Sequence, residues 1–157
     1  MSTHSNIAVK LENGAFLSIY VHSDGYYEWM GKMLMEHYNS AERANAIVAL
    51  GDASCIYPSL AKPAGHSINS RAPECSVFYG RDLNMSEFGQ NIYTDEQALL
   101  ENSDNHYLYV WQDGHWFARE HDRLILLADV LNSEGIAWNG MAPPVEPAFS
   151  GRRALAL

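Results

Sequence analysis

Between Asp82 and Ala118 the chain has no lysine and no arginine, while the same stretch carries Asp82, Glu87, Asp95, Glu96, Glu101, Asp104 and Asp113. A surface of one sign repels nucleic acid and steers basic partners toward itself. The missing cations therefore argue against direct nucleic-acid binding and favour a protein with a basic surface as partner. Cysteine is scarce as well: Cys55 and Cys75 lie far apart, with no C-x-x-C pair and no secretory-type leader. That usage fits reduced thiols and a cytoplasmic location. No apolar run nears the roughly 18–20 residues of a bilayer-spanning helix, so no membrane role is expected.

Signatures of catalysis are missing too. There is no H-E-x-x-H pair, no phosphate-binding glycine loop and no nucleophile motif around either cysteine. No metal, cofactor or catalytic residue is expected. At 157 residues a domain hides about 68–70% of the surface its unfolded chain exposes, so stability requires neither a metal nor a disulfide. What composition does supply is 47% hydrophobic and 18% charged residues with a formal charge of -9, the profile of a folded chain with a solvated acidic surface.

The apolar pattern supplies the elements. Ile7–Glu12 and Phe16–Val21 alternate like half-buried strands around Asn13-Gly14, a strong hairpin signal. Trp29, Met30, Met33, Leu34 and Tyr38 make one stripe of a helix over Tyr27–His37, with Gly31 allowing a close approach of the hairpin. Asn39 with Glu42 has the spacing of a helix cap, and that helix ends at Gly51. Asp52–Glu74, with Pro58, Pro63, Gly65, His66 and Pro73, reads as an irregular connection. Cys75–Tyr79 and Asn91–Tyr93 read as strands, and Thr94 with Gln97 as the cap of a short helix. His106–Trp111 and His115–Arg119 read as a second hairpin, and Arg123–Asn132 as a last helix. The expected fold is α+β: one domain over residues 1–142 with a mainly antiparallel sheet, a helix pair and a C-terminal helix packed on it, then a flexible tail over 143–157. Gly14 and Gly25 are expected at positive φ.

The motifs Met-Ser-Thr-x-Ser-Asn-Ile at the start, His22-x-Asp24-Gly25-Tyr26, Gly31-Lys32-x-Leu34-x-Glu36-His37-Tyr38 and Leu50-Gly51-Asp52-x-Ser54 resemble a family of small, largely uncharacterised bacteriophage and prophage proteins. That resemblance implies a genetic setting and no reaction. Within it, His22, Asp24, Tyr26 and Arg81 are the candidate ligand-binding residues. Glu87, Asp95, Glu96, Glu101, Asp104, Trp111 and Trp116 are the candidate partner-binding residues. Two readings follow: an accessory protein that inhibits a host defence system by covering a basic nucleic-acid-binding surface or by sequestering a nucleotide signal, and a small hydrolase or nucleotide-processing enzyme using His22 and Asp24. The aromatic hairpin would also serve a homo-oligomer.

Overall fold

The computed structural model describes residues 3–61, 74–85 and 89–140. Strand β1 (Ser5–Lys10) pairs antiparallel with β2 (Phe16–Val21), and the hairpin closes through residues 11–15. There Asn13 Oδ1 accepts the Ala15 N–H at 3.0 Å and Gly14 takes φ +89°. A π-helical turn (Tyr27–Gly31) runs into α1 (Lys32–His37), followed by α2 (Ala41–Ala49). Next come β3 (Ala53–Cys55), β4 (Val77–Phe78), α3 (Tyr79–Leu83), β5 (Asn91–Tyr93) and α4 (Glu96–Asn102). The second hairpin, β6 (Tyr107–Gln112) and β7 (His115–Glu120), turns on Asp113 and Gly114, both at positive φ as a tight two-residue hairpin turn demands. β8 (Arg123–Leu126) and α5 (Leu127–Ser133) follow.

All eight strands join one sheet in the order β4-β3-β2-β1-β6-β7-β8, with β5 on β2. The fold is α+β as expected, but the sheet is mixed, because β1 pairs parallel with β6 and β2 parallel with β3. Hairpin order alone suggests antiparallel pairing; here the two hairpins meet through their leading strands, which run the same way. Side chains alternate cleanly between the faces. Ile7, Val9, Ile19, Val21, Tyr109, Trp111 and Trp116 meet the helical layer of Met30, Leu34, Ile47, Val48, Leu127 and Leu131. Ala8, Phe16, Leu108 and Val110 meet Leu99 of α4 on the other face.

Several boundaries differ from the sequence pattern for local reasons. Ser40, not Asn39, caps α2, its Oγ accepting the Arg43 N–H at 3.2 Å. Asp95, not Thr94, caps α4, its Oδ1 accepting the Ala98 N–H at 2.8 Å. In both, the residue one step later has the extended backbone that aims its oxygen at the first turn. The segment after Gly51 contains β3, while Pro63, Gly65, His66 and Pro73 lie outside the described residues, as does the expected tail. Arg123–Leu126 is a strand rather than the start of the last helix: paired with β7, it sends Leu124 to one face and Ile125 to the other. Gly31 makes room for α5 rather than for the hairpin, since a Cβ there would lie 3.0 Å from Leu131 Cδ2. Gly25 does not have positive φ; its neighbour Asp24 does, at 57°. Gly25 is required by contact, because a Cβ would lie 2.6 Å from Ser5 Cβ and 2.9 Å from the His4 carbonyl oxygen.

Asp52 organises one edge of β2. Its carboxylate accepts the Tyr20 N–H at 2.8 Å and the Gly89 N–H at 3.2 Å. It thereby fills the ladder gap between β5, which pairs with Phe16–Ser18, and β3, which pairs with Val21. Gln90 Nε2 then donates to the Val48 carbonyl at 2.8 Å, capping the end of α2.

Two stability predictions follow from these contacts. Gly25→Ala should cost about 1–3 kcal/mol or more through overpacking against β1, whereas Gly14→Ala, in open space, should lose only the roughly 1–2 kcal/mol of a left-handed backbone; urea denaturation midpoints compare them, and equal losses would remove the close approach. Asp52→Ala should cost about 1–3 kcal/mol by stranding two N–H groups, and Asp52→Asn less, because one acceptor remains. Burial raises the Asp52 pKa above its ordinary 3.8, so its contribution is complete below that ordinary value and declines as pH rises through the higher folded one. The margin of wild type over Asp52→Asn should therefore shrink as pH rises from below 3.8 through the raised folded value.

Candidate functional site

The acidic surface is assembled from elements far apart in sequence. Glu96 and Glu101 of α4 and Asp122 of the β7–β8 turn line a cleft of about 540 Å³. Glu28 of the π-helical turn, Asp104 before β6, Glu120 at the end of β7 and Glu134 after α5 line a second, of about 560 Å³. The clefts share Arg119 and His121, so seven carboxylates gather round a common rim.

Among the described residues Arg119 is the one Lys or Arg side chain lining either cleft, and its guanidinium is consumed internally. It donates to the carbonyls of Leu100 and Ser103, each at 2.9 Å, and to that of Asn105. A cation belongs at that place, because the last carbonyls of α4 otherwise lack donors. Burial lowers the Arg119 pKa, and Asp122 and Asp104 act against that shift. In the second cleft Tyr27 donates its hydroxyl to Glu120 Oε2. Burial, then this bond, pushes the Tyr27 pKa up, and the Tyr107 ring stands edge-on to Tyr27 at 5.0 Å.

The continuous acidic stretch of the sequence is therefore not the acidic face of the molecule. Asp82 leaves it: its fully buried side chain takes Arg81 Nε at 2.9 Å and Nη2 at 3.1 Å, and accepts the Phe78 N–H at 2.8 Å. Asp113 sits at the opposite end of β6 from Asp104, Asp95 is spent on the α4 cap, and Glu87 lies outside the described residues. Glu96, Glu101 and Asp104 are exposed and remain. Glu28, Glu120, Asp122 and Glu134 join them through tertiary packing that no local spacing announces. Trp111 and Trp116, expected on a contact face, are 7% and 2% exposed. They pack edge-on at 5.5 Å, and Trp116 Nε1 donates to the Tyr38 carbonyl at 3.0 Å. Strand alternation points both at the helical layer, which removes them from partner binding.

The candidate ligand residues separate. His22 Nδ1 lies 2.8 Å from the Tyr20 hydroxyl, and His4 Nδ1 donates to the His22 carbonyl at 2.7 Å. Asp24 makes no hydrogen bond to His22; it lies beside the Tyr26 phenol and raises its pKa. Arg81, besides pairing with Asp82, donates to the Leu60 carbonyl at 2.5 Å, tying the β4–α3 corner to the chain ahead of it. His4 and Tyr20 are the members that sequence spacing misses, because β1–β2 pairing alone brings them to His22. Cys55 and Cys75 are both buried. No described helix is long and apolar enough to cross a membrane. Comparison of the chain with family models, with curated proteins and with solved structures gave no match.

Proposed function

We propose that the protein acts by binding, as a phage- or prophage-type accessory factor in the host cytoplasm that covers a basic, nucleic-acid-binding surface of a host defence protein. One observation carries the binding part of this reading: two adjoining clefts ringed by seven carboxylates, whose shared arginine is spent on the end of α4. Lysine and arginine side chains of a partner would find acceptors there without displacing a resident cation, and the chain's formal charge of -9 would steer their approach. An anionic nucleotide is a poorer occupant of the same clefts, because it would meet carboxylates on each wall. The phage setting and the defence target rest on the motif resemblance alone. The hydrolase reading has less support, since His22 and Asp24 do not touch.

Charge reversal tests it. A partner would be isolated by co-purification from a bacterial lysate and its kinetics measured with purified components. Glu96, Glu101, Asp104 and Glu134, exposed and with side chains that cap no helix, are each replaced by Lys. Association of the quadruple variant should slow at least ~10-fold at low salt, and the wild-type rate should fall as ionic strength rises. Asp95 stays unchanged, because losing its cap would cost about 1 kcal/mol and confuse folding with binding. A partner whose association ignores both salt and the four substitutions would sink this assignment.

A further inference from the structure

We propose that the free edge of β8 takes up an extended basic segment of the partner as an added antiparallel strand, whose cationic residues run on into the acidic clefts. The inference rests on the proposed binding role and adds how the partner is held. β8 ends the sheet, beyond β7, and the turn before it decides which of its backbone groups face outward. Glu120 and Arg123 flank the two-residue turn His121-Asp122 and stand opposite each other, so they exchange backbone hydrogen bonds, and Ala118 with Ile125 is the next such pair. The N–H and C=O of Leu124 and the N–H of Leu126 therefore point away from β7. The Leu126 carbonyl is engaged, because Leu126 is the N-cap of α5 and that oxygen accepts the first bond of the helix.

Elsewhere in the sheet, strand N–H groups without a ladder partner are closed by carboxylates. Asp52 accepts the Tyr20 N–H at 2.8 Å, and at the opposite end of the sheet Asp82 accepts the Phe78 N–H at 2.8 Å. Among the described residues no hydrogen bond reaches the outward groups of Leu124 and Leu126. α5 folds back over β7 rather than across the edge, and the Asn139 N–H donates to Glu36 at 2.7 Å, which carries the chain to α1. Leu126 is left 36% exposed. An open apolar edge is a template for another strand, and charge selects which one. Glu120 and Asp129 line a cleft of about 320 Å³ on the helical face of β8, together with Arg123. Asp122, Glu96 and Glu101 line the larger cleft beside α4. Alternation sends Leu124 and Leu126 to the α4 face and Ile125 to the helical face. The fitting segment is thus apolar opposite Leu124 and Leu126 and rich in Lys or Arg where it passes Asp122. A second copy of this chain fits less well, because it brings the same carboxylates and the same formal charge of -9 to the edge.

The probe is the peptide Ac-Val-Lys-Val-Thr-Lys-Lys-Lys-NH₂, titrated into the isotope-labelled full chain at low ionic strength while amide hydrogen exchange is followed by NMR. In the free chain the amides of Leu124 and Leu126 should exchange fast and that of Ile125 slowly. Saturating peptide should slow Leu124 and Leu126 at least ~10-fold. With the first peptide residue opposite Leu126, the third lies opposite Leu124 and donates its N–H to β8, while the N–H of the second faces away. N-methylation of the third residue should therefore weaken binding at least ~10-fold, and N-methylation of the second should leave it unchanged. Neither readout needs a variant of the protein to fold. Equal effects of the two methyl groups overturn strand addition, and so do Leu124 and Leu126 amides that stay unprotected at saturation; if that binding is still salt-sensitive, the acidic reading survives without the strand. Protection of both amides already in the free chain also overturns it, since a second copy or another part of this chain would then hold the edge. Binding that follows the methylation pattern but ignores salt retains the strand and overturns the acidic reading beneath it.

Discussion

β1 is hydrogen-bonded on both edges, antiparallel to β2 over Ser5–Lys10 and parallel to β6 over Ser5–Val9, and the rest of the molecule depends on the second of these pairings. It is the seam between the two hairpins. Without it the opening hairpin with its helices and the closing hairpin with α5 would each expose an apolar face, and neither half would bury enough to persist. The seam is reinforced at its N-terminal end. Tyr109, fully buried, donates its hydroxyl to the Gly25 carbonyl at 2.6 Å, Asn105 Nδ2 donates to Asn6 Oδ1 at 3.0 Å, and Gly25 approaches β1 closely enough to exclude any side chain.

That seam also builds the acidic clefts. By holding β6 and β7 against β1, it brings Asp104, Glu120 and Asp122 to the end of the sheet where Glu28 and Glu134 arrive from the helical face and Glu96 and Glu101 from α4. Like charges gathered this way repel one another, and burying Arg119 among three carbonyls adds a desolvation cost. The Arg119 bonds to α4 offset that cost by satisfying groups that would otherwise be stranded. A surface that concentrates one sign of charge while spending its cation inside is poor for self-stability and well suited to meeting the opposite sign.

Much of the architecture was legible because local rules decide it. Asn13-Gly14 and Asp113-Gly114 specify hairpins through the backbone conformations they allow, the stripe from Met30 to Tyr38 marks the buried face of a helix, and alternation in the strands assigns each side chain to a face. Cap positions are not separable along the sequence, because Asn39 and Ser40, or Thr94 and Asp95, are chemically alike and only backbone direction chooses between them. Arg123–Leu126 was unreadable as a strand, since four apolar-rich residues fit either period and the free edge of β7 made the choice.

Sequence by itself determined the two hairpins, the helices over the first half of the chain and the helical layer on the sheet, and it set the formal charge at -9. All of these follow from interactions between residues close along the chain or from totals over it. Tertiary structure alone decided that β1 and β6 run parallel, that Asp82 is buried with Arg81 while Glu28 and Glu134 join the acidic rim, that Trp111 and Trp116 face inward, and that His22 meets His4 and Tyr20 rather than Asp24. These depend on register and strand order, which are set by long-range pairing of backbone groups, and no spacing within a single segment records which distant segment will lie beside it.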